Sequence, residues 1–234
     1  MLPLLYIVRM DVETDYLDEF VKWYDTRHGP DLIGSGFHSC SAYHSFVGGP
    51  FICNVYEVPD LEVFSSDAYV QVRKDDQQLV DEVLNRISNH SNTVYTQVSV
   101  AGIPESALLS NSRPSRAGAV SAPVVSTLRL DIGAEHADDF SRWLQSDHAP
   151  ALLDSGALRV RLARQDGKHP LFPSKQAEWV LLVEWPSTHD AGQFVSVEKP
   201  IQNAAQERGW ELERVEYQVG ALSATLLNTN SWTA

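Results

Sequence analysis

Residues 15–36 read DYLDEFVKWYDTRHGPDLIGSG, and 120 positions later residues 135–156 read EHADDFSRWLQSDHAPALLDSG. Eight of the 22 positions are identical: Asp18/Asp138, Phe20/Phe140, Trp23/Trp143, His28/His148, Pro30/Pro150, Leu32/Leu152, Ser35/Ser155 and Gly36/Gly156. The match begins further upstream, where LLYIVRMDV (4–12) returns as VVSTLRLDI (124–132) and keeps Arg9/Arg129 and Asp11/Asp131. A period this long exceeds any solenoid unit. It reads as one domain written twice, and the positions where the copies disagree are where function is to be sought.

Each copy predicts the same order of elements. Residues 4–12 alternate, with Leu4, Tyr6, Val8, Met10 and Val12 on one face and Leu5, Ile7, Arg9 and Asp11 on the other, the period of a strand. Residues 15–28 place Tyr16/Leu17, Phe20/Val21 and Trp23/Tyr24 at helical spacing, and Gly29-Pro30 predicts the helix end. A hairpin is expected at 36–46 and 50–58 around Gly48-Gly49, then a helical region within 60–90 (Leu79, Val80, Val83, Leu84, Ile87) and a strand at 91–101. The second copy predicts strand 124–132, helix 135–148, strands 157–165 and 179–186, helix 188–208 and strand 210–222. Residues 103–123, rich in Ser, Ala, Pro and Gly, read as a linker. The domain reading is therefore 1–102, linker 103–123, 124–224, and a tail 225–234 that carries Trp232.

The order β-α-β-β-α-β, twice, is the ferredoxin-like α+β unit. Its sheet has helices on one face only, so the bare face needs cover that a tandem copy supplies. Arg9, Asp11, Glu57, Arg129, Asp131 and Glu184 all fall on that bare face, which predicts a structural charge network where the two sheets meet.

The 234 residues carry a net charge of −13, with 43% apolar and 21% charged residues, the balance of a globular protein with room for two cores. The acidity argues against a nucleic-acid partner. No apolar run reaches membrane-spanning length and no signal peptide is recognisable, so a cytoplasmic protein without membrane contact is expected. Cys40 and Cys53 lack metal-type spacing and read as small core residues of a reducing compartment.

The helix-facing side of the central hairpin differs between copies. His38, Cys40, Ala42 and His44 stand where the second copy has Leu158, Val160, Leu162 and Arg164. Ile52, Asn54, Tyr56 and Val58 stand where it has Trp179, Leu181, Val183 and Trp185. Residues of one parity share a face, so His38, His44, Asn54 and Tyr56 should converge under the helices with His28 closing over them. Unpartnered buried polar groups cost about 1–3 kcal/mol each, so a polar pocket in the first half beside a filled core in the second is the expectation. Each member also has a structural reading: His28 and His148 can cap the helix, and His44 can point outward at the hairpin end.

Trp23-Tyr24-Asp25-Thr26-Arg27-His28-Gly29-Pro30-Asp31-Leu32, followed by Gly36-Phe37, resembles the helix-to-strand passage of EthD-like members of the dimeric α+β barrel superfamily. The resemblance implies a pseudo-dimeric α+β barrel closed within one chain, with further homodimerisation left open. The superfamily includes cofactor-free monooxygenases, cyclases, isomerases, dehydratases, haem enzymes and members without known activity. The second copy departs from the motif, with Leu144 for Tyr24 and Gln145 for Asp25, although Asp147 precedes His148.

The chemistry expected is His acid/base catalysis on a small carbonyl compound, aromatic or polyketide-like, by elimination, isomerisation, cyclisation or C–C cleavage. His28 is the candidate base with Asp25 orienting it, and His38, preferred to His44, assists. Tyr24, Arg27, His44, Asn54 and Tyr56 are candidate substrate contacts, and His148 and Asp147 are the second-copy counterparts. His38 and His44, about 20 Å apart on one strand, do not suit one metal, and neither cofactor nor metal is expected. The alternative is a non-catalytic binding or structural barrel. The insertion at 165–178 reads as a surface loop, with a lid or an oligomer contact as the other uses considered.

Overall fold

A computed structural model describes residues 2–76, 83, 85–103, 118–165, 169, 176–188 and 195–228. Eight antiparallel strands close into a barrel within the one chain: β1 (Leu4–Val12), β2 (Ser39–Val47), β3 (Ile52–Val58), β4 (Ile87–Ala101), β5 (Val124–Ile132), β6 (Arg159–Arg164), β7 (Trp179–Trp185) and β8 (Leu212–Leu227). The circular order is β1-β3-β2-β8-β5-β7-β6-β4. Each half makes a four-stranded sheet, and the halves join at two edges, β4 against β6 and β2 against β8. Closure leaves no unpaired strand edge.

Helices cover the outside of both sheets. In the first half the described residues include α1 (Leu17–Trp23), α2 (Gly29–Gly34) and α3 (Asp67–Asp75), the last preceded by a 3₁₀ turn at Leu61–Ser65. The second half has α4 (Ala137–Trp143), α5 (Ala149–Asp154) and α6 (Val195–Arg208). The two halves thus carry the same strands and opening helices in the same order.

The helix does not stop at Gly29-Pro30. In both halves it passes through one π turn, Tyr24–His28 and Leu144–His148, into the next α segment. The bonding register shifts there, with the Gly29 N–H donating to the Tyr24 carbonyl five residues back. Pro30 then occupies the first turn of the new segment, where its missing N–H costs nothing. The π turn brings residues five apart into contact: Trp23 stacks on His28 at 4.6 Å and Trp143 on His148 at 5.2 Å.

Other boundaries move too. Ile87 opens β4 instead of closing a helix, Val83 is a buried helical residue, and Leu79, Val80 and Leu84 lie outside the described residues. The last strand reaches Leu227, so residues 225–227, read as tail, pair with β2, while Trp232 lies outside the described residues. Gly48 and Gly49, both at φ +60°, make the tight β2–β3 turn.

Alternation along the strands creates three cores. Even-numbered residues of β1–β3 pack under the first-half helices (Tyr6, Val8, Cys40, Ala42, Tyr56), and a matching apolar core fills the second half. The third core lines the barrel interior, with Leu5, Ile7, Tyr43, Cys53, Val55, Tyr95, Val125, Ala163, Val180, Leu182 and Leu222 drawn from all eight strands. An eight-stranded barrel is just narrow enough for side chains to fill it.

One end of that interior is stoppered by the end of the segment read as a linker. The Val120 N–H donates to Glu57 (3.0 Å) and the Ser121 N–H to Glu184 (3.4 Å). Their side chains are fully buried and occupy equivalent positions in the two halves. Arg161 sits between them, 2.9 Å from Glu184 and 3.5 Å from Glu57, and also donates to Gln97 and the Gly118 carbonyl. Ser41 and Tyr43 donate to the Val120 and Ala122 carbonyls. The bare-face charges therefore do not form one network. Glu57 and Glu184 hold the stopper, whereas Asp11 and Asp131, at the other end, accept from the Phe51 and Glu178 amides.

Candidate functional site

The first-half helix–sheet space is built by β2 and β3 below and the α1–α2 passage above. The register sets Cys40 opposite Tyr56, Ala42 opposite Asn54 and His44 opposite Ile52, all facing the helices. Tyr24, in the π turn, reaches down so that its hydroxyl donates to that of Tyr56 at 2.8 Å. Burial pushes both phenols well above their ordinary range. Tyr6, Phe37, Phe64 and Tyr69 complete an aromatic wall by edge-to-face and stacked contacts.

That wall receives a residue from the other half. His169, carried on the β6–β7 connection, lies 4.4 Å from Phe64 and 5.3 Å from Tyr6 between ring centres. Its Nε2 is 3.2 Å from the Tyr69 hydroxyl. Burial, reinforced by the nearby Arg73 charge, lowers its pKa to about 4, so it stands there as neutral imidazole. The insertion reads from sequence as a surface loop, yet His169 is buried, and extra length is the one signal that sets the insertion apart.

The space is closed around its side chains. What remains is a void of about 10 Å³ lined by Phe20, Val21, Tyr24, Asp25, Ala42, His44, Ile52, Asn54 and Ser223, close to the volume one water needs. Asn54 Oδ1, buried, has no hydrogen-bond partner there among the described residues. At the rim, Asp25 and His44 are coupled by charge. Burial raises the Asp25 pKa and lowers that of His44, and the two partly offset each other's shift. The second half has Gln145 and Arg164 at these positions and an apolar filling of Leu144, Leu181, Val183 and Trp185.

The remaining expected residues are dispersed. His28 does not pair with Asp25; its Nδ1 is 2.9 Å from Asp76, a buried carboxylate at the end of α3, because the π turn rotates it to that side. Arg27, half exposed, joins the same carboxylate at 3.5 Å. His148 makes the equivalent tie in the second half, Nε2 to the Val197 carbonyl of α6 at 3.1 Å, with its pKa lowered by burial to about 4. Both histidines thus pin the opening helix to the later one. Asp147 is exposed and accepts from Ser146. His38 is buried at the far end of β2 and is not among the residues lining the void. Of the expected set, Tyr24, Asp25, His44, Asn54 and Tyr56 come together; His28 packs on the Tyr24 ring at 5.8 Å but, like Arg27 and His38, does not line the void. No three His, Cys, Asp or Glu among the described residues cluster as a metal site would require, and no described helix is long and apolar enough to cross a membrane.

No protein-family model matches the chain, and no curated protein does. Similarity is found among solved structures. An anthrone oxidase-like protein superposes with a TM-score of 0.61 at 12% identity, covering 99% of this chain and 96% of that one. A protein named as a candidate monooxygenase from Fusobacterium nucleatum gives 0.60 at 11%, covering 97% and 94%. A mutant chlorite dismutase from Candidatus Nitrospira defluvii gives 0.56 at 13%, covering 94% and 91%. At these identities the likeness is one of fold: this chain has a mixed α+β architecture with an eight-stranded antiparallel barrel, matching that of these structures.

Proposed function

We propose that the chain is a tandem-duplicated, EthD-like α+β barrel enzyme whose working site is the first-half helix–sheet space. His44 acts as general base on an activated C–H of a small planar aromatic ketone. The carrying observation is the Asp25–His44 pair at the rim of a small void, replaced by Gln145 and Arg164 in the half that is filled with apolar side chains. His44, neutral below its ordinary pKa, accepts the proton; Asp25 favours the imidazolium that forms. The negative charge moves to the ketone oxygen, within reach of the Tyr24–Tyr56 hydroxyls and the Asn54 amide. Phe20 and Tyr24, which line the void, suit a flat substrate, as the anthrone oxidase-like and monooxygenase names of the fold neighbours do. Proton abstraction is common to the elimination, isomerisation and oxidation outcomes, and these residues do the same work in each. The helix must lift at its π turn to admit a ring, and such turns recur at functional sites.

A second reading has its own observation: the Tyr24–Tyr56 bond and a void for one water describe a satisfied polar core, as in a binding or structural barrel. Exchange of the acidic C–H of anthrone in D₂O, followed by NMR, separates them. Wild-type acceleration over buffer, lost in His44→Gln and reduced in Asp25→Asn with unchanged Tm, supports the enzyme. No acceleration, or full activity in His44→Gln, leaves the second reading. The base should keep working below pH 6.5 and fail only as pH drops through the lowered His44 pKa.

A further inference from the structure

β1 and β5 stand directly opposite one another in the eight-strand circle, so Arg9 and Arg129, at equivalent positions, face each other across the barrel interior. Both are on the odd-numbered, inward face, 4% and 2% exposed. Like charges so placed oppose each other, and burial of a guanidinium without a counter-ion is expensive. Arg9 has partial relief, from Glu216 at 2.8 Å and from Gln176. Arg129 has less. Its Nε and Nη1 lack hydrogen-bond partners among the described residues; it bonds the Cys53 thiol and the Tyr95 hydroxyl, both held neutral by burial, and its cross-strand neighbour Glu216 is already engaged by Arg9.

Above Arg9 the barrel opens; Arg129 does not itself line the opening. A cavity of about 540 Å³ at this end, opposite the stopper, is lined by Arg9, Asn89, His90, Ser91, Gln176 and Tyr217 among others, within the size range of small-molecule sites. Two carboxylates also line it: Asp11, already engaged by Phe51 and Asn89, and Glu216, half exposed on Arg9.

We propose that this mouth binds a small organic carboxylate, which enters past Gln176 and meets Arg9, with the Arg129 charge behind it. Glu216 answers one of the two guanidinium charges and the monoanion supplies the other, and its planar oxygens match the acceptors Arg9 already holds, a carboxylate and an amide. The acidic rim of Asp11 and Glu216 repels a dianion more, so phosphate is disfavoured. Asn89, Ser91 and Tyr217 face the rest of the ligand. This site is on the opposite side of the sheet from Asp25 and His44, so either proposal can fail without the other.

The test is thermal unfolding of the full chain with benzoate, with inorganic phosphate, and with chloride at matched ionic strength. At a hundred times its Kd benzoate raises Tm by about 5–10 °C, and the rise disappears in Arg129→Met and in Arg9→Gln. Arg129→Met should by itself raise the unliganded Tm, because it removes the uncompensated charge. Phosphate as effective as benzoate overturns the proposal. So does no rise beyond chloride, or a rise that survives in either variant. If Arg129→Met does not fold, Arg9→Gln and the wild-type comparison decide.

Discussion

Arg161→Met is the sharpest probe of what closes the barrel. The guanidinium is 1% exposed, and removing it deletes donors to Glu184 at 2.9 Å, Gln97 at 3.1 Å and the Gly118 carbonyl at 2.7 Å. Glu57 keeps the Ser39 hydroxyl and the Val120 amide, and Glu184 keeps Arg159 at 3.4 Å, so neither carboxylate is wholly abandoned. Removing one member of a buried ion group typically costs about 3–5 kcal/mol. For a chain of this length that is a Tm lower by about 6–20 °C. The loss must depend on pH. The folded pKa of Glu57 is already raised, chiefly by burial, with Arg161 opposing the shift. Without Arg161 it rises further, so the destabilisation is full above the new folded pKa and relieved as pH falls toward the unfolded value near 4.5. Calorimetry of wild type and variant at pH 8 and pH 5 reads this directly, and Glu57→Gln in the variant background should restore part of the loss at pH 8. A Tm drop under about 3 °C at pH 8, or one equal at both pH values, would refute the reasoning.

Two further outcomes are expected. Tyr56→Phe strands the buried Tyr24 hydroxyl and should cost about 1–3 kcal/mol, whereas Tyr24→Phe with Tyr56→Phe should recover part of that loss, the Asn54 bond to Tyr56 being gone in both; urea unfolding distinguishes them, and equal losses would contradict the pairing. His148 and His169, with folded pKa values near 4 against an ordinary 6.5, contribute stability that is present above pH 6.5 and lost progressively as pH falls toward 4. Urea midpoints across that window should fall less steeply in His148→Gln, and an unchanged slope would count against its buried neutral state.

Much of the scaffold was readable because periodicity reports burial directly. Alternation in 4–12 and 124–132 placed both strands and assigned the right residues to each face, and Gly48-Gly49 marked the hairpin. The shared face of His44, Asn54 and Tyr56 followed from parity alone. What parity cannot supply is rotation about a helix whose register changes: Pro30 looked like a terminus, and the π turn that accommodates it sent His28 to Asp76 and left Asp25 to His44. Long-range delivery was equally hidden. His169 meets Tyr69 across 100 positions, within a loop that carries no pattern. The burial of the stopper leaves no mark on the sequence, since small residues such as Ala119 and Ala122 suit a narrow barrel interior as well as they suit a linker. Arg161 was missed because its counterpart is Ser41, so the repeat offered no echo of it.

The exchange of edges has a consequence for synthesis. When the first 101 residues have left the ribosome, β2 and β4 each present a bare edge whose partners, β8 and β6, have not yet been made. Glu57 meanwhile waits uncompensated for an arginine 104 positions downstream. The nascent first half is therefore a sticky, half-charged intermediate rather than a finished unit. A chain truncated before Leu212 should expose the β2 edge permanently and aggregate instead of folding to a smaller protein.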